Sequence, residues 1–147
     1  MAKAAKTKSG YKRKSWQEKL HNGKELKVEI TKVKFADIPA GSRMLIATPE
    51  IVDAYIREVP KGHFVSIAQI RKDLAATHHT DYTCPVTTGI FVRIAAEAAY
   101  EEYEKGKSLS RITPFWRVIA AKSPAAKKLS FGTDLLLAQQ KKERIGS

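Results

Sequence analysis

The sequence predicts a mostly α-helical fold with a small β component, and three features of the chain indicate it. Between Thr48 and Ala75, apolar residues recur at helical spacing in two segments, each of which begins with a good N-cap residue. From Glu25 to Phe35, apolar and polar residues alternate, with one slip, which is typical of a strand with one polar face. Hydrophobic residues make up 43% of the 147 residues, which is enough for one packed core.

A short helix and a strand come first in the predicted order. Residues 15–22 predict a helix capped by Ser15, because serine is a favoured N-cap and Asn-Gly follows the segment. The alternating segment 25–35 predicts a strand, and residues 38–41 predict a turn.

Two capped helices follow this turn. Thr48 is the expected N-cap of the first, which must stop before Pro60 because proline interrupts a helix. Ser66 is the expected N-cap of the second. The residues of the second helix that should face the core are Ile67, Ile70, Leu74 and Ala75.

The C-terminal half predicts two more helices separated by a buried segment. Thr87 or Thr88 should cap a long helix that continues to about Lys105. Residues 112–120 predict a short strand or a buried turn. Thr133 or Asp134 should cap the last helix, whose residues 135–137, all leucine, are expected inside.

Two helices joined by a turn and followed by a β-like segment, in a basic chain, are the outline of a winged helix-turn-helix. We accordingly divide the chain into a disordered basic tail (residues 1–14), a lead-in helix and strand segment (15–47) and a winged-helix domain (48–147). This outline is common among small helical proteins and does not fix a function.

The net charge of +12 is concentrated at the N-terminus, where residues 1–14 carry six cations and no acid. Such a tail can be a nucleic-acid arm that adds phosphate contacts. It can equally be a solubilising or artificial tail, and the sequence leaves both open. The remaining residues still carry a net +6, so the body is basic without the tail.

Several function classes are excluded or disfavoured. The apolar runs are far shorter than the ~20 residues that a membrane span needs, so we expect no membrane partner. One cysteine, Cys84, permits no internal disulfide and favours a reducing cytoplasm, with nucleoid association if nucleic acid is the partner. The four histidines lack ligand spacing and the glycines are scattered, so we expect no metal and no cofactor.

Three ordered segments give the body a more specific character. Residues 59–70 (VPKGHFVSIAQI), 93–98 (RIAAEA) and 112–119 (ITPFWRVI) resemble, in that order, the helix entry, the recognition helix and the active-site segment of the O6-alkylguanine DNA alkyltransferase family. Phe131-Gly132 stands where that family has its substrate loop. The resemblance covers residues 48–145 and implies a winged-helix domain that binds DNA through the minor groove.

The resemblance also implies two sets of site residues. The first set should contact DNA and comprises Arg93, Ser66, Ile67, Thr88, Ile94, Lys61 and Arg71. The second set should form a degenerate alkyl-acceptor pocket and comprises Pro114, Phe115, Trp116, Arg117, Phe131 and Gly132.

The active-site segment departs from the family where the chemistry occurs. The family's acceptor cysteine is Phe115 here, and its activating histidine is Trp116, so the segment supplies neither a thiolate nor a base. The sequence is therefore similar to the alkyltransferase-like proteins, which bind damaged DNA without repairing it. We expect no enzymatic activity.

Arg93 and the aromatic pair can each be interpreted in two ways. In the family an arginine at the position of Arg93 fills the space left by an extruded nucleotide, but a solvated helical charge has the same appearance in sequence. Phe115 and Trp116 could line the old pocket and stack on a base, or fill it as core, and the combined loss of the family's cysteine, histidine and tyrosine favours core.

Other departures bear on base extrusion. The family's tyrosine in the second helix is Ile67 here, and the loop over residues 75–88 is longer than the family's turn. The second half of the recognition helix is acidic, which would repel phosphates unless it points away. Its acidic residues are Glu97, Glu101, Glu102 and Glu104.

The sequence thus predicts a monomeric, non-enzymatic DNA-binding protein that recognises alkylated or distorted DNA and passes it to a DNA-repair protein partner. Three alternatives stay open at this point. They are a nonspecific nucleic-acid-binding protein of the nucleoid or of RNA, residual methyl transfer through Cys84, and a protein-interaction module whose basic surface serves only solubility.

Overall fold

The computed structural model describes residues 14–145, so the predicted tail lies almost entirely outside the described residues. Within these residues, nine helices and strands follow one another, with two single 3₁₀ turns over Leu109–Arg111 and Phe115–Arg117. In chain order they are α1 (Trp16–Leu20), β1 (Lys27–Ile30), β2 (Arg43–Ile46), α2 (Pro49–Arg57), α3 (Ile67–Thr77), β3 (Tyr82–Thr83), α4 (Pro85–Glu104), α5 (Pro124–Lys127) and α6 (Asp134–Glu143). The predicted class, mostly helical with a small β component, is confirmed.

The sheet has the order β1-β2-β3, with β2 in the centre. β1 runs antiparallel to β2 with Val28 opposite Leu45, and β3 runs parallel to β2 with Leu45 opposite Thr83. Segment 15–47 supplies two of the three strands of the described sheet.

Two of these strands escape sequence prediction for a physical reason. β2 is a central strand in which Met44 and Leu45 are both buried on opposite faces, so it shows no apolar-polar alternation. β3 has only two residues and lies in a segment predicted as a loop. The predicted strand 25–35 is also too long, because only Lys27–Ile30 pairs with β2 and an isolated bridge joins Phe35 to Ile38.

The core forms around α4, which packs against α1, α2, α3 and the turn at Phe115–Arg117. α4 buries the stripe Thr88, Val92, Ala95, Ala96 and Ala99. The other elements contribute large apolar side chains to the same cluster, including Leu45, Val52, Ile56, Ile70, Leu74, Phe115, Ile119 and Leu136.

Three predicted N-caps are present. The side chains of Ser15, Thr48 and Ser66 each accept a hydrogen bond from a backbone N–H of the first turn of α1, α2 and α3. At Ser15 the Glu18 carboxylate completes a reciprocal capping box.

The start of α4 differs from the prediction. The helix begins at Pro85 directly after Cys84, and neither Thr87 nor Thr88 is its N-cap. Proline suits the first helical position because it needs no hydrogen-bond acceptor there. The Thr88 hydroxyl instead donates to the Cys84 carbonyl within the first turn, at 2.6 Å.

The expected burial of three consecutive leucines in α6 is wrong for one of them. Leu136 is fully buried and Leu135 partly, but Leu137 is 46% exposed, because successive helical residues point about 100° apart. Gln140 takes an inner position, and its side-chain amide donates to the carbonyls of Trp116 and Ile119 at 3.0 and 2.7 Å.

Candidate nucleic-acid interface

An open groove of about 860 Å³ runs along the N-terminal half of α4 and is called here the α4 groove. α4 contributes Val86, Ile90 and Arg93 to its lining. The complete lining is Trp16, Lys19, Ile67, Pro85, Val86, Gly89, Ile90, Arg93, Ile94, Ser123, Pro124, Ala125 and Lys128. These residues are apolar, small or cationic, and none of them is acidic.

The helix presents an apolar stripe to this groove rather than to the core. Val86 and Ile90, one turn apart, are 56% and 50% exposed, and Arg93 continues the same stripe. Exposed large apolar side chains in a row indicate a binding surface more often than chance exposure does. Cations beside them fit an anionic partner with apolar parts.

Arg93 is held loosely at the edge of the groove. Its Nε lies 3.5 Å from the Glu97 carboxylate, which is long for a charged hydrogen bond, and its side chain is 39% exposed. Glu97 is already bound by the Ser130 N–H and hydroxyl at 2.7 and 2.5 Å. Arg93 therefore keeps donors for a ligand, since its terminal NH₂ groups have no partner within residues 14–145.

Helix α1 places an aromatic ring beside these cations. The Lys19 ammonium lies 4.0 Å from the centroid of the Trp16 ring, and the Arg93 guanidinium carbon lies 5.3 Å from it. Both distances are within the range of cation–π attraction. Through Arg93, Trp16 thus connects α1 to the exposed stripe of α4.

Two carboxylates in the acidic half of α4 accept hydrogen bonds from other parts of the protein. The Glu101 carboxylate accepts the backbone N–H groups of Trp16 and Gln17, both at 3.0 Å. Glu102 accepts from the Gln17 side chain and from the Lys107 ammonium, at 3.0 and 2.9 Å. These carboxylates fix α1 and a loop, so the acidity that the sequence shows here does not extend into the α4 groove.

Four of the seven predicted DNA-contacting residues lie at or beside this groove. Arg93, Ile67 and Ile94 line it. Ser66 is exposed next to Ile67, although its hydroxyl caps α3 by accepting the Gln69 N–H at 3.1 Å.

The other three lie elsewhere. Thr88 has no exposed surface, so it drops out of the predicted interface. Arg71 also drops out, because its guanidinium binds both oxygens of Asp37 and the Thr83 carbonyl at 2.8–3.0 Å. Lys61 is exposed and lines a separate cavity of about 250 Å³, together with Trp116 and Arg117.

Most side chains of the degenerate acceptor segment are buried. Phe115 and Trp116 are 0% and 2% exposed, and Phe131 meets the Phe115 ring edge-on with centroids 5.5 Å apart. Phe131 in turn stacks on Tyr100 at 4.1 Å. Pro114 is also buried, and together with Trp116 and Arg117 it lines the cavity of about 250 Å³.

Arg117 and Trp116 are tied to the last helix by one carboxylate. Glu143 accepts the Trp116 indole N–H at 2.8 Å and two Arg117 N–H groups at 2.9 Å. It also accepts the Gly62 backbone N–H at 3.0 Å. Burial opposes ionisation of this carboxyl, but the hydrogen bonds from Arg117, Gly62 and Trp116 outweigh burial and lower its pKa to about 2.

We expect Glu143→Gln to lower the free energy of unfolding at pH 7 by ~2–3 kcal/mol. The pKa of Glu143 is lower in the folded than in the unfolded chain, so its contribution is present above about pH 4.5 and lost as the pH falls towards 2. Urea unfolding at pH 7 and pH 2.5 checks this, with the exposed Glu58→Gln as control. An equal loss at both pH values would contradict it.

The sole cysteine lies away from solvent. Cys84 is 5% exposed and packs with Ile38 and Met44 under the sheet. Within residues 14–145, no group of three histidine, cysteine, aspartate or glutamate side chains could hold a metal ion. No helix of the same part of the chain is long and apolar enough to cross a bilayer.

Trp16, Lys19 and Lys128 line the groove but were not among the residues predicted to contact DNA. A tryptophan and a lysine three residues apart on a short helix are a local signal for one shared face. Lys128 carries no such signal, because only the tertiary fold brings α5 to α4. The exposed stripe of α4 is also invisible in sequence, since that helix is apolar on nearly every side.

Comparison of the chain with family models, with curated proteins and with solved structures finds no significant match. The resemblance to the alkyltransferase family therefore rests on the three sequence segments alone.

Proposed function

We propose that this protein is a non-enzymatic DNA-binding protein of the alkyltransferase-like type, which binds DNA through the α4 groove. The single observation that carries the proposal is the lining of this groove. Exposed apolar side chains and three cations, with no acid among them, lie along the helix whose sequence resembles the family's recognition helix.

Each part of the groove has a role in this proposal. Arg93, Lys19 and Lys128 neutralise phosphates, which supplies most of the affinity and makes it salt-dependent. Val86 and Ile90 contact the apolar edges of sugars and bases in a widened minor groove. α3 and α4 are then the two helices of a winged helix-turn-helix, with α4 docked on the DNA.

Catalysis is not part of the proposal. Phe115 offers no nucleophile at the acceptor position, and the one thiol of the chain is buried at Cys84. The proposed role is recognition of alkylated or distorted DNA, which a repair protein then processes.

A nonspecific nucleic-acid-binding protein is the second candidate, and one observation favours it. The Phe115 ring, at the acceptor position, has no exposed surface and packs edge-on against Phe131, so an extruded base could not contact this ring. A protein that binds through charge and the α4 groove alone would bind plain and alkylated DNA equally.

The test is binding of a short labelled duplex, with and without one O6-methylguanine, across a salt series. The three groove cations predict that log K falls with log salt with a slope of ~−3, or steeper if the tail contributes. Tighter binding of the lesion supports the damage sensor, and equal, salt-dependent binding supports the second candidate. No binding overturns both, and a methyl adduct on the protein in mass spectrometry would overturn the non-enzymatic assignment.

We expect Trp16→Ala to weaken duplex binding about threefold to tenfold, because it removes one wall of the groove and the ring that positions two cations. Fluorescence anisotropy of a labelled duplex measures this change. Tyr103→Ala, which removes an exposed aromatic side chain outside the groove, is the control and should bind as the wild type does. Unchanged binding by Trp16→Ala would remove α1 from the interface.

A further inference from the structure

A second exposed apolar surface is formed by β1 and the residues that flank it. Nine large apolar side chains are exposed within residues 14–145, and five of them fall between residues 26 and 35. They are Leu26, Val28, Ile30, Val33 and Phe35, with exposed fractions from 36% to 72%. None of them lines the α4 groove.

β1 is also an edge strand with an open hydrogen-bonding side. The sheet order places β2 on one side of β1 and no described strand on the other. Thr31 donates its N–H to the Ser42 carbonyl, so the backbone groups of Thr31 point towards β2. Backbone direction alternates along an antiparallel strand, so the N–H and C=O groups of Glu29 and Lys27 also point towards β2. The N–H and C=O groups of Val28 and Ile30, and of Leu26 before the strand, then point to the open edge.

We propose that β1 pairs antiparallel with β1 of a second copy of this chain, with the two-fold axis at Val28. Val28 then faces its own copy, Leu26 faces Ile30, and Lys27 faces Glu29. The outward N–H and C=O groups pair in this register. The two three-stranded sheets become one continuous sheet.

Charge and apolarity are complementary in this register on both faces of the strand. On one face, which continues the face of buried Leu45, the contacts within residues 26–30 are all between apolar side chains, and Lys24 faces Lys32 beyond them. On the other face each Lys27 meets a Glu29, which favours antiparallel pairing. Lysines on edge strands commonly prevent self-pairing, but here the opposing glutamate neutralises Lys27.

Other registers are poorer. If the pairing shifts by one residue, residues whose N–H and C=O groups point to the open edge lie opposite residues whose groups point towards β2. Hydrogen bonds between the two strands are then lost. A two-fold axis at Leu26 or Ile30 places Val28 opposite Lys24 or Lys32, so an apolar side chain meets a charge. Within residues 26–30, the register centred on Val28 is therefore the one that opposes no apolar side chain to a charge.

We expect a weak dimer, with a dissociation constant in the micromolar range, because one short strand pair buries less than the ~800 Å² per partner of a standard interface. The net charge of +12 on each copy opposes association. Moderate salt should therefore strengthen this dimer, whereas it weakens DNA binding.

Sedimentation velocity of the full chain over a concentration series tests the proposal. We expect a concentration-dependent dimer for the wild type and at least tenfold weaker association for Val28→Lys, which places like charges on the axis. Leu137→Lys, an equal change at an exposed leucine of α6, should associate as the wild type does. A wild type that stays monomeric up to 300 µM, or a dimer unaffected by Val28→Lys, would overturn the proposal.

A pair of charge-swap variants shows whether weaker association results from misfolding or from a lost contact. Lys27→Glu alone opposes Glu to Glu, and Glu29→Lys alone opposes Lys to Lys, so each should associate at least tenfold more weakly than the wild type. A mixture of the two restores both Lys–Glu pairs and should form a heterodimer. Failure of the mixture to associate, with the wild type dimeric, would place the interface elsewhere.

Discussion

Arg93→Ala is expected to bind duplex DNA about tenfold more weakly than the wild type, while the fold is unaffected. The arginine lines the α4 groove and is partly exposed, and its side chain makes one hydrogen bond within residues 14–145, a long one to Glu97. Its loss removes a phosphate or groove contact without leaving Glu97 unpaired, since Ser130 still donates two hydrogen bonds to that carboxylate. Anisotropy titrations in low salt measure the change.

Arg111→Ala is the matched control, because it removes the same charge from an exposed residue outside the groove. If both variants lose affinity equally, binding depends on net charge and the groove is not the site. If Arg93→Ala also removes a preference for O6-methylguanine DNA, Arg93 takes part in lesion recognition.

Phe115→Ala is expected to lower the free energy of unfolding by ~3–5 kcal/mol, the largest effect on stability foreseen for this chain. Phe115 has no exposed surface and packs edge-on against both Trp116 and Phe131, so its removal leaves a cavity in the core. Urea unfolding followed by circular dichroism measures the loss.

Val33→Ala is the control for this change, because Val33 is 72% exposed and its truncation should cost less than ~0.5 kcal/mol. A loss below ~1 kcal/mol for Phe115→Ala would mean that the ring is dispensable to the core. The assignment of Phe115 to the packed core would then be contradicted.

Much of the helical framework was predictable because its signals are local. Ser15, Thr48 and Ser66 act as N-caps through hydrogen bonds to residues three positions away, and Pro60 lies beyond the end of α2. The strand at residues 43–46 was not predictable from alternation, because a central strand buries both faces. The start of α4 at Pro85 was missed because this proline follows a polar segment that predicts a loop.

The candidate site was predicted in part. Three of the residues predicted to contact DNA, Arg93, Ile67 and Ile94, line one groove. Arg71 and Thr88 could not be judged from sequence, because their partners, Asp37 and the Cys84 carbonyl, depend on how the chain folds locally and at long range. Trp16 and Lys128 come from opposite ends of the chain, and only tertiary packing reveals them as parts of this groove.

DNA binding along the N-terminal half of α4 can be measured directly from the change in amide NMR signals of the isotope-labelled wild type on addition of a short duplex. We expect the largest shifts for residues 86–94, for α1 and for residues 123–128. Absence of shifts, or shifts confined to the sheet and to α6, would contradict it.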